Sequence, residues 1–261
     1  KMVSAAKLKK AQDAITAMRP YANKLTELLQ NLSATLDSDA GGSYATQREV
    51  SKVLLVVITS NRGLCGGFNS SIVKQTIRTI ESNYSDCTVD LFTIGKKGSI
   101  LSKNYTIAKN NIEIFDDLTF DNVAEIAESL MQQFADGDYD KIELIYNQFK
   151  NAGVQVPTHE RFLPIEASAD EKESTSARDY IYEPDQEDIV RELIPKTLKI
   201  QVYKALLDSF AAEHGARMTS MHKATDNAQE LLKDLRLTYN KARQAAITNE
   251  IIEIVSGANA L

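Results

Sequence analysis

A heptad-like repeat at the amino-terminal end is the feature that most constrains how this chain folds. Apolar residues follow one another there at alternating intervals of three and four residues: Leu8, Ala11, Ile15, Met18, Ala22, Leu25, Leu29, Leu32 and Leu36. This spacing places them along one side of an α-helix and is typical of a coiled coil. Pro20 lacks a backbone donor, so we expect a bend or local loosening there, with the helix ending near residues 37–42.

The carboxyl-terminal end carries a second repeat with the same spacing but smaller side chains. Its members are Met221, Thr225, Ala228, Leu232, Leu235, Tyr239, Ala242, Ala246 and Asn249. We expect one long helix from Pro195, in the first turn, to a stop at Ser256 and Gly257. At 1.5 Å per residue this helix would be on the order of 90 Å long. The two one-sided helices are therefore predicted to pair antiparallel; the alternative is that both are ordinary surface helices on a globular body.

Between these helices the period of the apolar residues changes to that of an alternating α/β fold. The sequence predicts strands at residues 53–59, 89–94, 142–146 and 154–163, and helices around residues 72–80 and 121–135. A mostly parallel sheet with helices on both faces follows from this order. The predicted fold class is therefore α/β: an antiparallel coiled coil of the terminal helices plus a central Rossmann-like α/β domain.

The pattern divides the chain into four regions. These are an amino-terminal coiled-coil helix at 1–40, a central α/β domain at 50–165, an exposed acidic connection at 166–188 and a long carboxyl-terminal coiled-coil helix at 189–261. A helical pattern is already under way at Lys1, so we expect that the natural chain begins earlier, and we find no signal or transit peptide.

Composition narrows the classes of function. Hydrophobic residues make up 43% and charged residues 25% of the chain, which indicates a folded, soluble protein. The net charge of −6 argues against nucleic-acid binding. No run approaches the roughly 20 apolar residues of a membrane span. Cys65 and Cys87 are too few for a four-cysteine zinc site and favour a reducing compartment.

The loop at residues 61–69 follows a predicted strand and precedes a predicted helix, where many α/β proteins bind phosphate. It lacks the Gly-Lys-Ser/Thr ending of a Walker loop, and Gly63, Gly66 and Gly67 do not have the dinucleotide-binding spacing. We expect these glycines to serve backbone shape and close packing. The alternative function left open is a phosphate-binding α/β enzyme whose helices form a dimerisation arm.

Other candidate sites carry weaker signals. Cys65 has no signature that links it to a histidine as a nucleophile pair. Asp226, Glu230 and Asp234 recur every four residues on one helix, which is more typical of a solvated face than of a metal site. The sequence therefore predicts no catalytic residue, no cofactor and no metal.

Two blocks of sequence resemble a known family. They are residues 59–69, and residues 216–228 continuing to 239–250; the opening residues 1–7 and Arg19-Pro20-Tyr21 agree with them in order. Over the whole chain, this resembles the gamma subunits of F-type (proton-translocating) ATP synthases. The resemblance implies a non-catalytic rotating shaft of two paired helices inside an alpha/beta hexamer. The central domain would form a foot near the membrane rotor ring.

The same resemblance implies roles for particular residues. Positions where the shaft makes polar contacts with the hexamer match Arg217, Arg243, Gln244, Thr248 and Glu250. The stretch around Tyr180, Tyr182 and Glu183 resembles the part of the foot that meets the rotor ring and the epsilon subunit.

The implied partners are the alpha, beta and epsilon subunits and the c-subunit ring. The implied location is the cytoplasmic face of a bacterial plasma membrane, with the mitochondrial matrix or plastid stroma as the alternative. A non-rotary helical scaffold is a further possibility.

Overall fold

The computed structural model describes residues 2–33, 42–165 and 186–259. The chain divides into two compact units, Lys1–Met218 and Thr219–Leu261. Its helices and strands, in order, are α1 (Met2–Ser33), β1 (Lys52–Ile58), α2 (Phe68–Asn83), β2 (Thr88–Ile94), β3 (Thr106–Asn111), α3 (Phe120–Ala135), β4 (Lys141–Asn151), β5 (Val154–Leu163) and α4 (Gln186–Asn259).

The five strands of the first unit form one sheet in the order β3-β2-β1-β4-β5. All neighbours are parallel except β4 and β5, which pair antiparallel. The predicted mostly parallel sheet is confirmed, and β5 has the predicted bounds. The sequence did not predict β3, because this edge strand is polar and largely exposed, and therefore lacks a buried apolar run.

Alternate residues of the central strand β1 face opposite layers of the core. Leu54, Val56 and Ile58 pack with α3 and with the part of α4 around Leu198 and Val202. Their neighbours Val53, Leu55 and Val57 pack on the other face with α2. The sheet is thus covered by helices on both faces, as the α/β pattern predicted.

The apolar face of α1 packs against the first part of α4. One cluster joins the first residues of the repeat to α4 and to Cys65, Phe68 and Phe149; its members on the two helices are Leu8, Ala11, Ile15, Leu207, Ala211, Ala212 and Ala216. Farther along α1, Ala22 and Leu25 pack with Ile200. Higher-numbered residues of α1 thus cluster with lower-numbered residues of α4. The side chains of Leu29, Leu32 and Leu36 lie outside the described residues.

The buried α4 residues that cluster with α1 precede the predicted second repeat. They lie within residues 200–216, and the second repeat runs from Met221 to Asn249. Leu232 and Leu235, in that repeat, are 50% and 57% exposed. The sequence missed the contact of residues 200–216 because their apolar face adjoins both α1 and the sheet, so its pattern is too broad to read as a single seam. The pairing of the second repeat stays a prediction.

Two prolines lie inside helices. Pro20 does not end α1, as predicted. Pro195, expected in the first turn of the carboxyl-terminal helix, lies inside α4, which begins at Gln186 and runs past Gly257 to Asn259. A proline removes one backbone hydrogen bond, but neighbouring buried residues such as Ile194 and Leu198 hold this part of α4 on the core. The expected end of α1 and most of the acidic connection at 166–188 lie outside the described residues.

Candidate functional site: the glycine-rich loop and the Arg217 cluster

The glycine-rich loop between β1 and α2 is held in shape by its own side chains. The Asn69 carboxamide accepts from the Ser60 backbone N–H at 3.0 Å and donates to Ser60 Oγ at 2.8 Å. Ser60 Oγ also donates to the Arg62 carbonyl at 2.7 Å. Leu64 and Gly66 have φ values of 61° and 57°, which reverse the chain here. Gly66 therefore serves the path of the backbone, as predicted. The close packing predicted for these glycines is wrong for Gly63 and Gly67, where a side chain would meet at most Ser70 Oγ at 3.9 Å.

The first turn of α2 also has partners within the chain. The Phe68 N–H donates to the Cys65 carbonyl at 3.2 Å, and the Asn147 carboxamide donates to the Phe68 carbonyl at 3.0 Å. Cys65 is buried, with 2% of its surface exposed. The position where an α/β enzyme would hold a phosphate is thus built as a packed junction of β1, α2 and β4.

Arg217 joins α4 to the glycine-rich loop. We call Glu213, His214 and Arg217 the Arg217 cluster. Arg217 Nη2 donates to the Arg62 carbonyl at 3.1 Å and lies 3.4 Å from the Gly63 carbonyl, and Nη1 lies 2.6 Å from Glu213 Oε1. Burial raises the pKa of Glu213, and the Arg217 charge opposes that rise. A guanidinium that is 8% exposed thus connects the two sequence blocks that carried the resemblance.

His214 lies in the same cluster as a neutral side chain. Burial, then the positive charge of Arg217, lowers its pKa to about 4. Arg217 donates to His214 Nδ1 at 3.3 Å, which leaves the ring proton on Nε2. Nε2 has no hydrogen-bond partner among the described residues. The rings of His214 and Phe210 pack in a T-shaped arrangement, with their centroids 4.5 Å apart.

The five residues expected to contact a hexamer fall into two different environments. Arg217 is buried in the first unit. The remaining four, Arg243, Gln244, Thr248 and Glu250, are exposed on α4 in the second unit. Thr248 Oγ1 donates to the Gln244 carbonyl at 2.8 Å, one turn earlier. The structure therefore does not bring the five together as one site within a unit.

The second unit exposes many large apolar side chains as well. They are Leu231, Leu232, Leu235, Leu237, Tyr239, Ile247, Ile251, Ile252, Ile254 and Val255. Several are adjacent in sequence and therefore lie on more than one side of the helix. An exposed apolar surface of this extent marks an interaction site.

Tyr180, Tyr182 and Glu183, the residues expected to contact a rotor ring, lie outside the described residues. Within the described ranges, no group of three or more His, Cys, Asp or Glu side chains could hold a metal ion. A search of the same ranges also finds no helix with the length and apolar character needed to cross a membrane.

Sequence reasoning missed the partner of the buried Asp208 in the first unit, which is Arg19. Arg19 Nη2 lies 2.7 Å from Asp208 Oδ1, and the Asp208 side chain is fully buried. The available signal was an aspartate inside the apolar stretch Ala205 to Ala212. An acidic residue on a buried helix face requires a charged partner.

Comparison with known proteins gives one family. The family model described as ATP synthase matches residues 1–261. The ATP synthase gamma chain of Flavobacterium johnsoniae is 66% identical over 262 residues, covering 100% of this chain and 91% of that protein. The gamma chain of Chlorobaculum parvum is 44% identical over 267 residues, with the same coverage.

Solved structures agree with these relatives. A central stalk and c-ring structure of the Tetrahymena thermophila mitochondrial ATP synthase contains a chain that is 30% identical, with a TM-score of 0.65 over 86% of this chain and 96% of that one. A chain of the Euglena gracilis mitochondrial ATP synthase has a TM-score of 0.61 at 18% identity, covering 98% of this chain and 95% of that one. The second match is evidence for the fold alone.

Proposed function

The chain belongs to the gamma-chain family of F-type ATP synthases, the central-stalk subunits, and from this premise we propose that it turns as a shaft inside an alpha/beta hexamer. The observation that carries the proposal is the exposed apolar surface of the second unit, from Leu231 to Val255. Ten large apolar side chains on one helix need a partner to exclude water from them. A surrounding ring of subunits would cover several sides of this helix at once.

The shaft is proposed to include an antiparallel coiled coil of α1 and α4. The α1 repeat supports this, since Leu8, Ala11, Ile15, Ala22 and Leu25 are all buried. Their partners on α4 are small near Ala211 and Ala216, which allows the two helix axes to approach closely. The division into a coiled coil, a central domain and an acidic connection remains a prediction from the sequence.

Polar contacts with the hexamer are proposed for Arg243, Gln244, Thr248 and Glu250, which are exposed and lie within two turns of one another. Arg217 requires a different account. Its guanidinium is already bound to Glu213 and to the glycine-rich loop, so a contact with the hexamer would have to replace those bonds. We propose that Arg217 instead holds α4 against the loop.

The proposed partners are the alpha and beta subunits, the epsilon subunit and the membrane c-ring. A chain of 30% identity is part of a central stalk and c-ring structure, which supports the last of these. The region of Tyr180, Tyr182 and Glu183 is the predicted contact with the ring and with epsilon. The bacterial relatives support a peripheral location on the cytoplasmic face of a plasma membrane.

The shaft acts by favouring different conformations of the surrounding catalytic sites as it turns. A partner can shift a two-state site only if it binds the two states unequally. A shift from 1:99 to 99:1 takes about 5.5 kcal/mol of differential binding. Two or three hydrogen bonds to charged groups such as Arg243 and Glu250, at about 1.5–3 kcal/mol each, would provide it. Proton-driven turning would thus open and close nucleotide sites that lie in the partner subunits.

The test is rotation of the reconstituted complex. The chain is assembled with alpha and beta subunits, a bead is attached at the exposed Lys103 of the central domain, and ATP is added. We expect stepwise turning in one direction, and none without ATP. A bead that stays still while ATP is hydrolysed would refute the shaft and favour a static scaffold.

The alternative, a phosphate-binding enzyme with a dimerisation arm, is not supported by the relatives. Calorimetry with inorganic phosphate on the isolated chain separates the two functions. Binding that is lost on Gly66→Ala or Gly67→Ala would favour the enzyme. Absence of heat on titration is the result expected for the shaft.

A further inference from the structure

An ion pair between the half-buried Arg19 and the buried Asp208 interrupts the apolar contact between α1 and α4. Along α1, Arg19 lies between the buried residues Ile15 and Ala22; along α4, Asp208 lies between Ile200 and Ala211. Arg19 Nη2 is 2.7 Å from Asp208 Oδ1; the Asp208 side chain is 0% exposed and the Arg19 side chain is 37% exposed. The pair therefore places a buried carboxylate, with its partner at the rim, in an otherwise apolar helix contact.

The pair also bonds to the end of β4 in the central sheet. The same Arg19 Nη2 donates to the Phe149 carbonyl at 2.6 Å. The Phe149 N–H in turn donates to Asp208 Oδ1 at 3.4 Å. Three chain segments that are far apart in sequence thus form a closed triangle of hydrogen bonds, which includes one residue from each helix and one from the sheet.

The burial of Asp208 makes its ion pair with Arg19 sensitive to the position of α1. Burial raises the pKa of Asp208, and the hydrogen bond and charge of Arg19 oppose that rise. Asp208 Oδ2 has no hydrogen-bond partner among the described residues. A shift of α1 by one turn, about 5.4 Å, would separate Arg19 from a fully buried carboxylate and leave that charge without its partner.

The apolar neighbours impose a weaker constraint on sliding. Three of the four buried α4 residues in this cluster, Ala211, Ala212 and Ala216, are small; the fourth is Leu207. Small apolar side chains allow several registers of similar energy, whereas one polar residue in a helix seam selects a single register. The ion pair is the feature of this contact that tells one register from another.

We propose that Arg19 and Asp208 are positioning residues that fix the register of α1 on α4 and tie both helices to β4. This tie transmits torque between the central domain and the helix pair without slippage. The second statement rests on the proposed function; the first does not.

The experiment removes both charges without leaving either one buried alone. In the double variant Arg19→Met with Asp208→Leu, apolar side chains of similar length replace the pair, a change that preserves folding in other proteins. Spin labels attached at the exposed positions Gln12 and Lys196 report the register of α1 on α4. The labelled chain is assembled into the whole proton-translocating complex in vesicles, where protons pumped per ATP hydrolysed are also measured.

We expect one narrow distance distribution between the labels in the unsubstituted complex. In the double variant we expect a distribution that is broadened or displaced by about one helical turn, 5.4 Å, with at least a twofold fall in protons pumped per ATP. A loss of stability alone would lower the amount of assembled complex, not this ratio. An unchanged distribution would overturn the proposal.

A matched control removes another ion pair that joins α4 to the central domain. Lys199 Nζ lies 2.5 Å from Glu128 Oε1 on α3, with side chains that are 25% and 56% exposed. Lys199→Met with Glu128→Leu should leave the label distances and the pumping ratio unchanged. An equal effect in this control would show that any lost pair has the same result, and would also overturn the proposal.

Two further outcomes are distinguishable. If the unsubstituted complex pumps no protons, the proposed function fails, and the label distances still decide whether the pair sets the register. If the double variant does not assemble, Asp208→Asn is measured in the free full-length chain. That change keeps the shape and removes the charge, so an unchanged narrow distribution counts against the proposal and a broadened one supports it.

Discussion

The two stretches of α4, residues 186–218 and 219–259, belong to one continuous helix. The first stretch contains many buried residues, whereas most residues of the second are exposed. In the first stretch, buried residues include not only Leu206 and Val202 but also Asp208 and Arg217. In the second, even large apolar residues such as Leu235 and Ile254 are 57% and 71% exposed. The difference shows that the environment of a helical residue depends on its tertiary partners more than on its type.

The hydrogen bonds that threonine side chains make in the second stretch are local. Threonine hydroxyls donate to carbonyls four residues earlier, at Thr225, Thr238 and Thr248. Local bonds of this kind add little stability to a helix in water, where packing of an apolar face provides most of it. The second stretch therefore depends on a partner from outside the unit, whereas the first is stabilised by its own chain.

The largest expected effect comes from removing the buried arginine. Arg217→Ala leaves Glu213 buried without its partner and should lower the free energy of unfolding of the full chain by about 3–5 kcal/mol. Arg243→Ala, in the exposed stretch, should change it by less than about 0.5 kcal/mol. Urea unfolding followed by circular dichroism measures both. Similar losses in the two variants would contradict the contrast between the stretches.

Two leucines test the same contrast without charge. Leu206 is fully buried and Leu235 is 57% exposed. Leu206→Ala should lower the unfolding free energy by about 2–5 kcal/mol, because the burial of the removed apolar atoms is lost and a cavity remains. Leu235→Ala should cost less than about 0.5 kcal/mol in the free chain. A large loss for Leu235→Ala would mean that the second stretch already has a partner in the free chain.

Two histidines test the contrast through pH. Burial lowers the pKa of His214 to about 4 from its ordinary value of 6.5. Between these values the unfolded chain carries a proton on His214 and the folded chain does not, so lowering the pH through this window destabilises the fold, by roughly 3 kcal/mol in total.

The difference between variants isolates this effect from other titrating groups. Unfolding free energies of the full chain are compared at several values between pH 7 and pH 4. In His214→Gln, the fall in unfolding free energy that protonation of His214 causes between pH 7 and pH 4 should be absent. His222→Gln alters an exposed residue of the second stretch and should show the same fall as the unsubstituted chain. The reverse result would contradict the assignment of this effect to His214.

The smallest effect on the free chain is expected at Glu250. Glu250→Gln keeps the shape and removes the charge, so the unfolding free energy should change by less than about 0.5 kcal/mol. In the complex with alpha and beta subunits, loss of one charged hydrogen bond worth about 1.5 kcal/mol would slow ATP hydrolysis roughly tenfold. Glu253→Gln, at an exposed neighbour, is the control. Equal ATPase rates for the two variants would remove Glu250 from the proposed contacts.

Strand prediction succeeded or failed according to burial. The bounds of β5, Val154–Leu163, were predicted, and the buried run of β1 was recognised because all but its first residue lie in the core. The edge strand β3, Thr106–Asn111, has no fully buried residue, and its form depends on pairing with β2. Hydrophobic patterning detects burial, and therefore cannot detect a strand that is held mainly by backbone hydrogen bonds.

The residues of the candidate site were also only partly predictable from the sequence. The sequence blocks identified Arg217 as a residue of interest, but its partners, Glu213 and the carbonyls of the glycine-rich loop, required the fold to be known. The Arg19–Asp208 pair joins residues that are 189 apart and carries no local pattern. Long-range polar pairs leave no periodic signal, because each member is a single departure from an apolar repeat.

By itself the sequence determined the order of the elements other than β3, the mostly parallel sheet, the apolar face of α1 and the family, since each depends on local periodicity or on motifs that are contiguous in the chain. The tertiary structure decided where on α4 the α1 face packs, which charged residues are buried, and that residues 219–259 remain exposed. These properties depend on which surfaces meet, and a one-dimensional pattern records that a face is apolar without recording what will cover it.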